Sequence, residues 1–208
     1  MSNKIAIVLD DHTLFGESFA VLLEKYNLFE KAYTFHEADK LITFLTHNSV
    51  KEFYIFLDYY LNTTNGLSVM ADIQRLNRRS KIIFMTSSLS WPVIYHMMSH
   101  QPHAIISKSN GLDILMHCIK VVRTGNFYLC PTFTALEKQN DAIVPVTFTP
   151  RELEILQYFS EGNTIVQTAE KTFLSRHTIV AHRRNMMAKA NCTSMAQLLG
   201  YAKQWELI

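Results

Sequence analysis

The 208-residue sequence predicts an α/β fold, a doubly wound five-stranded parallel sheet, joined to a small all-α unit of four helices. Three observations carry this expectation. Short apolar runs alternate with amphipathic helical stretches through the first three-fifths of the chain, and such alternation builds parallel strands covered on both faces. Four of the five runs end in polar or charged residues, as expected where a parallel sheet gathers its strand ends along one edge. Beyond residue 146 the strand-like runs stop, and helix caps with apolar positions at helical spacing replace them.

Ile5–Leu9 opens the sheet and runs straight into Asp10-Asp11-His12. Leu14 to Tyr26 reads as a helix, with Leu14, Ala20, Val21, Leu22 and Leu23 available for its apolar face. Lys31–Phe35 is the second strand, and His36 to His47 the next helix, with Ala38, Leu41, Ile42 and Leu45 on one side. The third strand is Phe53-Tyr-Ile-Phe-Leu-Asp58, an apolar and aromatic run closed by a lone carboxylate. A charge is costly inside a sheet, so Asp58 belongs at its solvent-reachable carboxyl end. Asn65-Gly66 turns the chain into a helix from Leu67 to Asn77. Lys81–Met85 is the fourth strand and ends in Thr86-Ser87-Ser88. Ser90 and Pro92 then suit the start of a helix reaching about His100. Ala104–Ile106 is a short fifth strand ending at Ser107-Lys108, and Leu112 to Thr124 a helix stopped by Gly125.

Composition is that of an ordinary globular protein, 48% apolar and 18% charged. No stretch approaches the roughly 18 apolar residues of a membrane span, and the apolar start is too short for a signal peptide. Cys118, Cys130 and Cys192 are few and unpatterned, which suits a reducing cytoplasm and offers no metal framework. Residues 1–128 are expected to form the first domain, 129–146 a linker and 147–208 the second domain. The last 60 residues carry seven Lys/Arg against five acids, so any nucleic-acid reading rests on local clustering.

Asp10, Asp11, Asp58, Thr86 and Lys108 thus gather at one sheet edge. Three converging carboxylates repel unless a cation sits among them, and Mg2+ favours carboxylate, carbonyl and water oxygens. A nearby Lys and hydroxyl can hold an anion's oxygens. The set describes a metal-assisted phosphoryl acceptor with Asp58 as nucleophile. With Gly66, these residues resemble, in order and spacing, the receiver domain of a bacterial two-component response regulator, a flavodoxin-like fold. The resemblance implies that Asp10, Asp11, Asp58 and the Tyr60 backbone carbonyl bind Mg2+. It also implies that Asp58 takes a phosphoryl group from a sensor histidine kinase, and that Lys108 and Thr86 contact the phosphate. The chain departs from the family at Leu61-Asn62, where Met-Pro is usual, and at Gln101-Pro-His103. It departs again at Ile105, where an aromatic usually couples the phosphate to the output face. Tyr60 and Ser88, each two residues past a key position, would flank the phosphate, and a bulky Tyr60 implies slow phosphate loss.

In the second unit Thr149, Pro150 and Glu152 make a capping box with Pro at the first helical position. Short helices follow from about Ile165 to Lys171, from Arg176 to about Lys189 behind a Ser175 cap, and behind Thr193 or Ser194. This is a helix-turn-helix. Ile179, Met186 and His182 can face its core, leaving Val180, Ala181, Arg183, Arg184 and Lys189 outside as a cationic face of the kind a major groove admits. The run Leu-Ser-Arg-His-Thr-Ile-Val-Ala-His-Arg-Arg-Asn-Met-Met-Ala-Lys resembles the DNA-binding domain of LuxR-type regulators. Joined to a receiver, it resembles the NarL/FixJ class. By position, that resemblance puts Val180, Ala181 and Arg184 at base edges of a double-stranded DNA operator, with Arg183 and Lys189 nearer the backbone. It further implies a cytoplasmic homodimer rather than an enzyme or a membrane protein.

Three rivals stand beside this reading. Ile105 motivates a constitutive, phosphorylation-independent transcription factor with an atypical receiver switch. An Asp-nucleophile phosphohydrolase would begin with the same chemistry, but no substrate cap or general acid is evident. The basic helix could instead bind another protein. His96, His100 and His103 offer an i, i+4 pair for a transition metal, though surface histidines on a helix are commoner.

Overall fold

The computed structural model describes residues 4–48, 51–62, 65–140 and 146–208. The first half alternates β1 (Ile5–Leu9), α1 (Thr13–Lys25), β2 (Lys31–Phe35), α2 (Ala38–His47), β3 (Phe53–Asp58), α3 (Gly66–Leu76), β4 (Lys81–Thr86), α4 (Trp91–Ser99), β5 (Ala104–Ser107) and α5 (Leu112–Arg123). All strands pair in parallel in the order β2-β1-β3-β4-β5, with β6 (Tyr128–Leu129) beyond β5. β3 is central and buried along its whole length, which is why its sequence is apolar at every position rather than alternating. The registers Leu9↔Leu57 and Asp58↔Met85 bring the ends of β1, β3 and β4 to one level.

The sheet has six strands where five were expected. Tyr128–Leu129 is too short to carry a strand pattern, yet the Tyr128 amide donates to the His103 carbonyl and the Cys130 amide to the Ile105 carbonyl, both at 3.1 Å. Gly125, at φ +84, makes the turn that returns the chain to the sheet. The stretch expected as linker is also structured: α6 (Pro131–Gln139) follows, with Phe133 fully buried. Residues 141–145 of that stretch lie outside the described residues, as do Thr63 and Thr64 of the loop after Asp58. On α1 the expected apolar face is only partly right. Gly16, Ala20 and Leu23 are buried, whereas Leu14 and Val21 stand 81% and 62% exposed, because the sheet meets a narrower stripe of the helix.

The second unit comprises α7 (Pro150–Ser160), α8 (Ile165–Thr172), α9 (Arg176–Lys189) and α10 (Met195–Gln204). Thr149 and Glu152 form the expected capping box, and Thr164 and Gln167 form a second one at α8. Ser175 caps α9 and Ser194 caps α10 through backbone amides three residues on. Leu153, Ile155, Leu156, Ile179, Met186 and Leu198 make the core. His182 is only half-buried, so the core side of α9 rests on Ile179 and Met186. Thr168 and Thr172 are buried, and the Thr172 hydroxyl donates back to the Thr168 carbonyl at 2.6 Å.

Candidate functional site

β1, β3, β4 and β5 deliver Asp10, Asp58, Thr86 and Lys108 to one edge, as the parallel order requires. The Lys108 ammonium lies 2.6 Å from Asp58 Oδ2 and 2.7 Å from Asp10 Oδ2, bridging two carboxylates that are almost fully buried. A 2.9 Å bond from the Lys108 amide to the Thr86 carbonyl fixes the root of the lysine. Its ammonium also stands 4.8 Å from the centre of the Phe15 ring.

Charge and burial oppose each other here. Burial raises the Asp58 pKa most; Lys108 counters it, and Asp10 and Asp11 add to it, for a value of about 6. Burial alone would lower Lys108, but its bonds to Asp10 and Asp58 outweigh that and hold it raised. A carboxylate this poorly solvated, facing one cation and two more acids, is short of positive charge. Single oxygens or nitrogens of Asp10, Asp11, His12 and Asp58 all lie within 4.8 Å of one another. The oxygen donors suit a hard divalent cation such as Mg2+. His12 was not foreseen in this cluster; its Nδ1 lies 3.0 Å from Asp11 Oδ1, within ion-pair distance of that carboxylate when the ring is protonated. Only the adjacency Asp11-His12 could have signalled it.

The loop after β3 is tightly specified. The Gly66 amide donates to the Tyr59 carbonyl at 2.7 Å, and a Cβ at Gly66 would sit 2.4 Å from the Asp58 carbonyl oxygen. Asn65 caps α3 by accepting from the Ser68 amide. Tyr60 and Ser88 flank Asp58 and Thr86, and Ser88 is anchored by its amide, which donates to Thr86 Oγ1 at 3.1 Å. Ile105 is fully buried on β5 beside Leu129.

On the second unit, Val180 and Arg184 are exposed and Ala181 and Arg183 half-exposed along α9, and neither arginine forms a salt bridge with another described residue. Lys189, expected nearer the DNA backbone, also has a partner within the unit. Its ammonium is committed 2.6 Å from Oε2 of Glu152, a buried carboxylate at the third position of α7. The three histidines each turn a ring nitrogen to the backbone. His96 is buried with Nε2 against the Phe148 peptide groups, His100 Nδ1 meets the His96 carbonyl, and His103 Nδ1 accepts from the Ile82 amide. Phe173, not singled out from sequence, stands 96% exposed at a left-handed turn between α8 and α9.

Residues 6–120 match the response regulator receiver domain, and residues 146–202 match the bacterial regulatory proteins of the luxR family. The chain belongs to the response regulators of two-component systems, in the NarL/FixJ class that joins a receiver to a LuxR-type helix-turn-helix. It is similar to the Fimbriae Z protein of Escherichia coli K12, at 26% identity across the whole of both chains. The virulence factors putative positive transcription regulator BvgA of Bordetella pertussis is 24% identical over 98% of each chain. Among solved structures, RcsB from Salmonella enterica serovar Typhimurium, bound to promoter rprA in the presence of phosphomimetic BeF3-, shares the fold. Its TM-score is 0.67 at 20% identity, covering 97% of this chain and 99% of that one. No helix among the described residues is long and apolar enough to cross a membrane.

Proposed function

We propose that Asp58 accepts a phosphoryl group from a sensor histidine kinase and that this controls dimerisation and promoter binding by the helix-turn-helix unit. The observation that carries the reading is the Lys108 ammonium held between Asp58 and Asp10 at the ends of β5, β3 and β1. An Asp58 oxygen attacks the donor's phosphorus; the new O–P bond forms as the donor's bond to phosphorus breaks and its leaving group departs with the electron pair. Lys108 and the Thr86 hydroxyl hold the phosphoryl oxygens. Asp10, Asp11, Asp58 and the Tyr60 carbonyl would hold Mg2+, which when bound neutralises charge developing on the transferring group. The chain's own part is to fix the nucleophile, exclude bulk water and keep an ammonium beside it. Tyr60, beside Asp58, would slow hydrolysis of the acyl phosphate; an unchanged half-life in Tyr60→Ala would contradict that role.

The DNA side rests on α9, whose Val180, Ala181 and Arg184 would read base edges while Arg183 contacts the backbone. RcsB, similar in fold, is described bound to promoter DNA and as dimers on DNA, which supports a dimer on double-stranded DNA here. A cytoplasmic regulator without an enzymatic turnover of its own is the coherent setting. We place the end of the receiver unit at α6 rather than at residue 128, because β6 and α6 complete its sheet and cover it.

One observation favours the constitutive alternative: Ile105 is already fully buried and has no ring to swing between exposed and buried positions. The deciding measurement is operator affinity against ionic strength for wild type and Asp58→Ala, with and without acetyl phosphate and Mg2+. Phosphorylation control requires an increase confined to wild type; identical curves would establish the constitutive reading. Within the same assay, Arg184→Ala should weaken specific binding by about 1–3 kcal/mol and relax one operator position.

A further inference from the structure

The two units meet directly at the phosphoacceptor edge, and the contact is made by the last residues of the chain. The Ser88 hydroxyl donates to Glu206 Oε2 at 2.9 Å, and the Tyr60 hydroxyl donates to the Glu206 carbonyl at 2.8 Å. Those two partners are the residues flanking the acceptor, one two positions past Thr86 and the other two past Asp58. The reach is built into the end of α10. Glu206 adopts φ +51, a left-handed turn where Gly or Asn is usual, with its amide donating to the Lys203 carbonyl and that of Leu207 to Ala202. The turn sends Leu207 inward, where it is 5% exposed in a cleft lined also by Tyr59, Tyr60, Leu61 and Tyr158.

Resting on the phosphoacceptor reading above, we infer that Glu206 is a gating residue of that site: it screens Asp58 from anionic phosphodonors and is expelled once Asp58 carries a phosphoryl group.

Two physical terms act in this direction. The Glu206 carboxylate adds a negative charge to a rim beyond which Asp10, Asp11 and Asp58 are only partly offset by the single Lys108 cation. A phosphodonor is itself anionic, and the acyl phosphate that replaces the Asp58 carboxylate carries roughly −1.5 to −2, a net gain of up to about one negative charge. The second term is competition for a donor. The Ser88 hydroxyl has a single proton to give, so it serves Glu206 or a phosphoryl oxygen, not both. By linkage, whatever the seated tail costs phosphorylation, phosphorylation costs the seating of the tail by the same factor. The helix-turn-helix unit carries the tail, so loss of this contact loosens one of its attachments to the receiver.

The test uses the full chain with acetyl phosphate and Mg2+. An Asp58 oxygen bonds to phosphorus as the acetyl–oxygen bond to phosphorus breaks, releasing acetate. Glu206→Gln removes the charge, and Glu206→Gly removes the whole side chain while suiting the left-handed turn, so the end of α10 survives. Both should label roughly ten-fold faster than wild type, equivalent to about 1.4 kcal/mol. Phosphorylated wild type should also show faster hydrogen exchange over residues 202–208, with no change in Asp58→Asn. Wild-type labelling rates in both variants, or unchanged tail exchange on phosphorylation, would overturn the gate while leaving Asp58 as acceptor. No labelling of any form would overturn the acceptor reading and the gate with it.

Discussion

His96 makes docking of the helix-turn-helix unit sensitive to acid. It sits on α4, 1% exposed, and meets the backbone that leads into α7: Nε2 lies 2.9 Å from the Phe148 nitrogen and 2.7 Å from its carbonyl oxygen. Either neutral tautomer finds one partner there, accepting from the amide or donating to the carbonyl. Burial, with His100 adjacent, lowers its pKa from 6.5 to about 4, although the Phe148 bond and Glu152 act the other way and Lys189 adds to the fall. A separated receiver exposes this ring and returns it to its ordinary value, so the separated state binds more protons between those limits. The His96 contribution to docking is therefore fully present above pH 6.5 and is lost as pH falls through 6.5 towards 4, by up to roughly 3 kcal/mol at 1.36 kcal/mol per pKa unit. The assay is energy transfer between dyes on the two units across pH 4.5–8, in an Asp58→Asn background that removes the other group titrating near 6. His96→Gln should flatten the profile. An equal acid-induced separation in wild type and His96→Gln would refute the reasoning.

Three further outcomes follow from the site. Gly66→Ala forces a Cβ against the Asp58 carbonyl oxygen at 2.4 Å and the Phe84 ring at 2.8 Å, so urea unfolding should show a loss of at least about 3 kcal/mol. Lys108→Ala leaves two buried carboxylates uncompensated; the loss, about 3 kcal/mol, should be greater at pH 8 than at pH 5, where a further-raised Asp58 is protonated. Lys189→Ala should cost about 1–2 kcal/mol in thermal unfolding at pH 7 by stranding Glu152. Glu152 is buried, which alone would raise it, but Lys189 and the Thr149 bonds hold it below the usual range. Its contribution is thus present above its ordinary pKa and lost as pH falls through the depressed one, so the Lys189→Ala difference should shrink in strong acid.

Strands with chemistry at their ends were legible because burial and charge leave opposite marks on adjacent residues: Phe53–Asp58 reads as strand then site in six letters. The same logic placed the caps at Thr149 and Ser175, whose side chains accept from the expected backbone amides. What stayed hidden was set by contacts distant in sequence. Two residues, Tyr128 and Leu129, have no period to detect, and α6 looks polar because Phe133 alone of its nine residues is buried. His96 looked like one of three surface histidines, since nothing local announces that Phe148 will cover it. Lys189 looked like part of a cationic face for DNA, yet a buried acid 37 residues earlier holds it. Glu206 carried no motif at all; its placement depends on a left-handed turn at the end of α10.

Because α6 is packed on the receiver, the tether between the units is short. From Asn140 to Val146 the backbone can extend at most roughly 20 Å. A helix-turn-helix unit that lets go of His96, Ser88 and Tyr60, and of Ser68, whose hydroxyl donates to the Pro150 carbonyl at 3.2 Å, therefore never dilutes away; it stays at an effective concentration of the order of millimolar. Contacts that would not hold two separate fragments together can hold these. An intramolecular equilibrium of this kind is tipped by a modest free-energy change, where a tight complex is not. Inserting a long flexible segment between residues 140 and 146 would lower that effective concentration and shift the two units toward separation.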